Sequence, residues 1–242
     1  MKICAAQTRP VTGDIPANIG NHDKLIGLAV AGKADLIIFP ELSLTGYEPT
    51  WAKKLAVKWD DARLDVFQEI SDTRHITIGV GIPIKCGAEL RISMVIFQPH
   101  QARRVYSKSH LHSDEEPFFA AGQSSPDLMV KKTKIALAIC YEISVPEHLK
   151  TVLKSGPEIY LASVAKSVKG IDQACERLSD IAKKHSLTVL MSNSIGPADG
   201  SVCAGKTSFW NNQGQLVGQL NSTDEGILIF DTETQKVTAK TS

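Results

Sequence analysis

The sequence predicts a layered α/β fold built on mixed sheet. Three observations carry this. Short apolar runs alternate with helix-spaced segments early in the chain and again after Lys134. Paired strand-like runs joined by turns crowd the middle and the end. No linker, low-complexity stretch or internal repeat divides the chain. Alternation favours parallel strands joined by helices, and hairpins add antiparallel ones, so the sheet is expected to be mixed.

The elements follow in order. Residues 3–7 form a short apolar run, and Pro10 and Gly13 end it. Residues 17–31 place Ile19, Leu25, Ile26, Leu28 and Ala29 at helical spacing. Residues 36–39 are a compact buried strand stopped by Pro40. Residues 61–71 read as an amphipathic helix through Leu64, Val66, Phe67 and Ile70. Residues 77–82 read as a strand whose Gly79 and Gly81 predict close packing of a neighbour. Residues 93–98 and 103–106 form a hairpin across Pro99, His100 and Gln101. A strand over 134–140, a helix over 145–154 with Pro146 near its start, and a strand over 159–162 come next. A helix over 171–185 and a strand over 187–192 follow. The tail holds strands over 205–210, 215–220 and 226–230, with a turn at Asn212-Gln213-Gly214.

The 242 residues, 43% of them hydrophobic, suffice for a core without disulfides or metals. Charges nearly cancel, 27 basic against 26 acidic. That balance and the lack of a basic run argue against nucleic acid or an anionic membrane as partner. No apolar run approaches the roughly 20 residues of a membrane span, and the start of the chain lacks a secretory pattern. A cytoplasmic protein is expected. The five cysteines, Cys4, Cys86, Cys140, Cys175 and Cys203, are odd in number and widely spaced, with no CxxC, so free thiols are expected and no metal or other cofactor is indicated.

Three apolar strands run straight into reactive side chains. Residues 36–39 lead through Pro40 to Glu41, residues 103–106 lead through Ser107 to Lys108, and residues 135–139 lead to Cys140. Strand ends converge at one rim of a layered sheet, where sites form. Thiol, carboxylate and ammonium are complementary there. A thiolate attacks, a carboxylate moves its proton, and an ammonium holds an oxyanion. Each residue alone would ordinarily be a solvated loop residue or, for the cysteine, core filling.

The same residues resemble the nitrilase superfamily of carbon–nitrogen hydrolases along nearly the whole chain. Phe39-Pro40-Glu41-Leu42-Ser43-Leu44-Thr45-Gly46-Tyr47 looks like the family's glutamate motif. Tyr106-Ser107-Lys108-Ser109-His110-Leu111 looks like its lysine motif. Ile139-Cys140-Tyr141-Glu142-Ile143-Ser144-Val145-Pro146-Glu147 looks like its cysteine motif. In residues 115–122 a second glutamate precedes an aromatic pair and Gly122; spacing assigns that role to Glu115, with Glu116 the fallback. Residues 190–196 and 205–208 are similar to late segments of such enzymes. The chain departs from the pattern at Glu142, where an Asp is usual, and near Ile92, where an Asn is usual.

The resemblance implies a single domain over 1–242, an α-β-β-α sandwich of four layers with two mixed β-sheets. It implies hydrolysis of a non-peptide carbon–nitrogen bond of a small amide or N-carbamoyl compound through a cysteine thioester, releasing ammonia or amine. Glu41, Lys108, Cys140 and Glu115 are the expected catalytic residues, with Tyr141, Glu142 and Ala165 contacting substrate. Loops over 45–54 and 113–125 are expected to shape the pocket. A homodimer or larger even assembly is implied too. The length argues against an ammonia-channelling synthetase. Alternatives are a true nitrilase, and a silent binding protein of the same fold. His110 or His112 as a Cys–His dyad partner is a further alternative, though His110 fits better as a brace for the lysine loop.

Overall fold

The computed structural model describes residues 1–123 and 127–241. In chain order the elements are β1 (Lys2–Gln7), α1 (Ile15–Ala31), β2 (Leu36–Ile38), α2 (Ala52–Leu55), α3 (Asp65–Arg74), β3 (Thr77–Cys86), β4 (Glu89–Phe97) and β5 (Arg104–Ser107). Then come β6 (Asp127–Val130), β7 (Thr133–Ile139), α4 (Pro146–Leu153), β8 (Ile159–Val164), α5 (Ile171–His185) and β9 (Thr188–Asn193). The chain closes with β10 (Ile195–Ala198), β11 (Ser201–Ala204), β12 (Ser208–Trp210), β13 (Leu216–Gln219), β14 (Gly226–Asp231) and β15 (Val237–Thr241).

Two mixed sheets result, as the sequence predicts. One has the order β15-β14-β1-β2-β3-β4-β5 and the other β13-β12-β9-β8-β7-β6, with β10 and β11 as a separate hairpin. In each sheet three strands run parallel: β1, β2 and β3 in the first, β7, β8 and β9 in the second. Helices make the crossovers between them, and hairpins add the antiparallel edges.

The layers follow from alternation. In β1, Ile3 and Ala5 join a core between the two sheets, shared with Leu137, Leu161 and Leu190. The intervening Cys4 and Ala6 pack under α1 with Leu25, Ile26 and Ala29. On the far side, Ala136, Ala138 and Tyr160 pack under α5 through Leu178, Ile181 and Ala182. Strands buried on both faces read as continuous apolar runs, which is why β2, β7 and β8 stand out in the sequence. The order is helix, sheet, sheet, helix.

Polar links pin the sheets together at one end. Ser192 Oγ, at the end of β9, donates to the carbonyls of Ala6 and Ile38 at 2.6 and 3.2 Å. Ser163 Oγ, at the end of β8, donates to the carbonyl of Phe39 at 2.9 Å. These links sit beside Pro40 and Glu41, at the carboxyl ends of the parallel strands.

Candidate active site

Three of the four expected catalytic side chains, those of Glu41, Lys108 and Cys140, leave strand ends at this rim. Glu41 follows β2. Its backbone lies against β3, where a Cβ on Gly81 would fall 2.3 Å from the Pro40 carbonyl oxygen and 2.4 Å from Leu42 N. Only a residue with no side chain leaves room for that loop. Leu42 takes a φ of 51°, turning the chain back. Lys108 follows β5, and its carbonyl accepts from Gly122 N at 2.7 Å. That bond draws the Glu115 segment onto the lysine. Cys140 follows β7 and opens a tight helical turn, Cys140–Ser144, with a φ of 44°. A left-handed conformation at a non-glycine residue is uncommon and is held there by its surroundings.

The side chains converge. Lys108 Nζ is fully buried between two carboxylates, 2.8 Å from Glu41 Oε1 and 2.6 Å from Glu115 Oε1. Tyr47 donates its hydroxyl to the same Glu115 oxygen at 2.9 Å, and His112 N donates to the other at 2.8 Å. Glu115 is buried in this set, whereas Glu116 lies along a different groove with Phe118 and Leu90. The Cys140 thiol interacts with the Glu41 carboxylate, although Glu41 Oε2, the oxygen that Lys108 does not hold, has no hydrogen bond of regular geometry.

Electrostatics sort the protons. Burial opposes charge on Lys108, but Glu41, Cys140 and Glu115 together outweigh it and hold the ammonium protonated. Burial pushes the Glu41 carboxyl up from its ordinary value, against the pull of Lys108. Burial, reinforced by Glu41, pushes the Cys140 thiol up to about 11, while Lys166, Lys108 and a hydrogen bond from the Ala165 backbone pull it down. The resting thiol therefore keeps its proton beside a carboxylate of raised basicity. Attack then has to be coupled to proton transfer onto Glu41.

Cys140 opens onto a cavity of about 280 Å³ lined by Tyr47, His112, Tyr141, Ala165, Lys166 and Asp199, among others. Tyr141 and Ala165 thus stand where substrate contact was expected. The first N–H groups of a helical turn lack internal acceptors, which suits the turn at Cys140 and Tyr141 to holding an oxyanion.

Glu142 does not join them. It is fully buried and accepts hydrogen bonds from Tyr106 Oη, Ser109 N and Ser109 Oγ, each at 2.6 Å, and from Ile139 N at 2.7 Å. The expected substrate contact is replaced by a brace between the cysteine turn and the lysine loop. Buried His148 completes that network, 3.1 Å from the Tyr106 hydroxyl, with the His110 ring packed edge-on against it. His110 thus packs against this network, bonded to Ser109 Oγ at 3.0 Å, and is not among the residues that line the cavity. His112 lines the cavity, but its ring is paired with Asp114 and packs edge-on against Tyr141.

Of the two loops expected to shape the pocket, the first supplies Tyr47 and the second Asp114, with His112 lying just before it; residues 124 and 125 lie outside the described residues. Trp51 lies outside the cavity lining and is 46% exposed, with Lys54 over its ring. Two contributors escaped the sequence reading. Tyr47 lies inside the quoted glutamate motif, and Lys166 follows β8 by the same strand-end rule that singled out Cys140. Among the described residues no group of three metal-ligating side chains is found, and no helix is long and apolar enough to cross a membrane.

Comparison with known proteins bears on the family and the fold. The family model for carbon-nitrogen hydrolase matches residues 2–240. An (R)-stereoselective amidase of a Pseudomonas species is 24% identical over 207 residues, covering 85% of this chain and 75% of the relative. A glutamine-dependent NAD(+) synthetase of Acinetobacter baylyi is 25% identical over 244 residues, and there the match spans 97% of this chain but 45% of the relative, less than half its length. Among solved structures, an amidase from Nesterenkonia sp. AN1 superposes with a TM-score of 0.86 at 24% identity, covering 96% of this chain and 92% of that one. A Glu-to-Gln variant of that amidase shows Michael addition of acrylamide at its active-site cysteine.

Proposed function

Because the chain belongs to the carbon–nitrogen hydrolase family, we propose that it hydrolyses a small amide or N-carbamoyl compound through a thioester on Cys140. One observation carries the reading: a fully buried ammonium, Lys108, clamped between Glu41 and Glu115 beside a thiol that opens on a cavity. Burying a charge is costly unless it is paired, and such an array has little structural value that an apolar cluster would not match.

The chemistry runs in two halves. Glu41 takes the Cys140 proton as sulfur attacks the carbonyl carbon. Lys108 and the N–H groups of the Cys140 turn stabilise the oxyanion. The C–N bond breaks, and the nitrogen leaves as ammonia or amine with the proton returned by Glu41. Water then gives a proton to Glu41 and attacks the thioester, the C–S bond breaks, and the acid leaves while Cys140 regains its proton. Lys108 remains charged throughout, as its two carboxylates require. Glu115 and Tyr47 act as positioning residues for it.

Ammonia release from a panel of amides tests this. Turnover is expected from at least one small amide, with none in a folded Cys140→Ala protein. An unchanged rate in that variant sinks the proposal. Faster turnover of a nitrile than of its matching amide would move the assignment to a nitrilase.

We further propose an even homo-oligomer, as the family resemblance implies, which light scattering would read as a mass of twice the chain or more. A cytoplasmic location fits five cysteines that are all unbridged.

A further inference from the structure

We propose that the substrate carries a carboxylate on its acyl part, and that Lys166 receives it. This rests on the hydrolase reading and narrows its substrate class.

Lys166 lines the same cavity as Cys140. It differs from the other lysine of the site. Lys108 is held by two carboxylates, whereas the Lys166 ammonium has no ion-pair partner among the described residues. Its position is built. Buried Asn193 accepts from Lys166 N at 2.8 Å and donates to the Lys166 carbonyl at 3.1 Å, and Ala204 N donates to that carbonyl at 2.9 Å. Asn193 also donates to the Gly205 carbonyl at 2.8 Å. The late segments of the chain thus fix the backbone from which this cation projects.

Two carboxylates share the wall. Asp114 is paired with His112, and Asp199 stands in the turn at the tip of the β10–β11 hairpin. At the sulfur, Lys166 acts together with Lys108 to pull the Cys140 thiol down. The cavity meets α5 at Gly170, and a 15-residue helix presents its positive end there without a side-chain cap. A neutral amide would leave this cation unmatched. An amide bearing a carboxylate a few bonds from the scissile carbon would pair with it, and the cavity volume restricts that acyl group to a short chain.

Two alkylating reagents test the inference without any turnover. Iodoacetate and iodoacetamide both form a carbon–sulfur bond at the Cys140 thiolate and release iodide; they differ in the charge beside the reacting carbon. Their rate ratio at Cys140, read by peptide mass spectrometry, cancels any change in thiol ionisation. Lys166→Gln is expected to lower the iodoacetate-to-iodoacetamide ratio by about five- to tenfold, and Lys166→Arg to keep it. A ratio that ignores both substitutions overturns the inference. The second arm compares succinamate with butanamide. Lys166→Gln should cost succinamate about five- to tenfold more in kcat/KM than butanamide, through KM. Equal losses for both would make Lys166 a tuner of the thiol and overturn the proposal. A Lys166-dependent alkylation ratio in a protein that hydrolyses no amide would uphold the anion site while the hydrolase reading fell.

Discussion

At the residue scale, Glu41 affects Cys140 in two opposing ways. Its charge helps hold the thiol proton on, and its carboxylate is the group placed to take that proton off. Glu41→Gln should therefore split two readouts that usually move together. Iodoacetamide should alkylate Cys140 faster in the variant at a fixed pH near 8, because the profile, set near about 11 in the native protein, shifts down. Ammonia release should fall by about two to four orders of magnitude, because the base is gone. Slower alkylation alongside slower turnover would show that Glu41 does not restrain the thiol. Glu41, Lys108 and Cys140 stand out in the sequence because each follows an apolar strand within a recognisable motif, and Glu115 stands out by its spacing to Gly122. The direction of Glu142 was not. Tyr141 and Glu142 are neighbours on one tight turn, and only the fold shows which faces the cavity and which turns inward to Ser109 and Tyr106.

At the element scale, β3 decides where Glu41 sits. Gly81→Ala would drive a methyl into the Pro40 carbonyl and Leu42 N, which are backbone atoms with no rotamer to escape to. It should cost about 1–3 kcal/mol in a urea titration and lower turnover further by moving the glutamate. Gly27→Ala is the control. Nothing lies within 4 Å of that added methyl, so the helix should gain up to about 1 kcal/mol with turnover kept. The sequence announced the close approach at Gly79 and Gly81 but ended the strand at 82, whereas β3 runs to Cys86. It also missed β6, the β10–β11 hairpin and β15. In β15 no residue is fully buried, so the periodicity that betrays a strand is absent. The helix over 171–185 was legible to the residue because α5 has a clear apolar stripe in Ala174, Leu178, Ile181 and Ala182.

At the scale of the whole molecule, two parallel three-strand units face one another, and each lends side chains to the site. The first supplies Glu41, and the second supplies Cys140, Ala165 and Lys166. No repeat in the sequence announces this likeness, since only the apolar rhythm is shared. What holds the halves in register beside the site is the set of serine links. Ser192→Ala would leave the carbonyls of Ala6 and Ile38 without that donor between the sheets, at a cost of about 1–3 kcal/mol. The thermal midpoint and the midpoint of heat inactivation should fall together by the same number of degrees. Inactivation well below the unfolding transition would mean that the site loosens independently.

The seam has a consequence for how amide protons leave the molecule. Strands β1, β2, β8 and β9 are central and buried on both faces, and the serine links lock their carboxyl ends. In deuterated water these strands should form the last unit to exchange, releasing their protons only when the whole chain opens. The nucleophile and its base hang from the ends of that slowest unit, not from a loosely exchanging lid. A warmed sample should then hold fully competent molecules and unfolded ones, with almost nothing half-active between them.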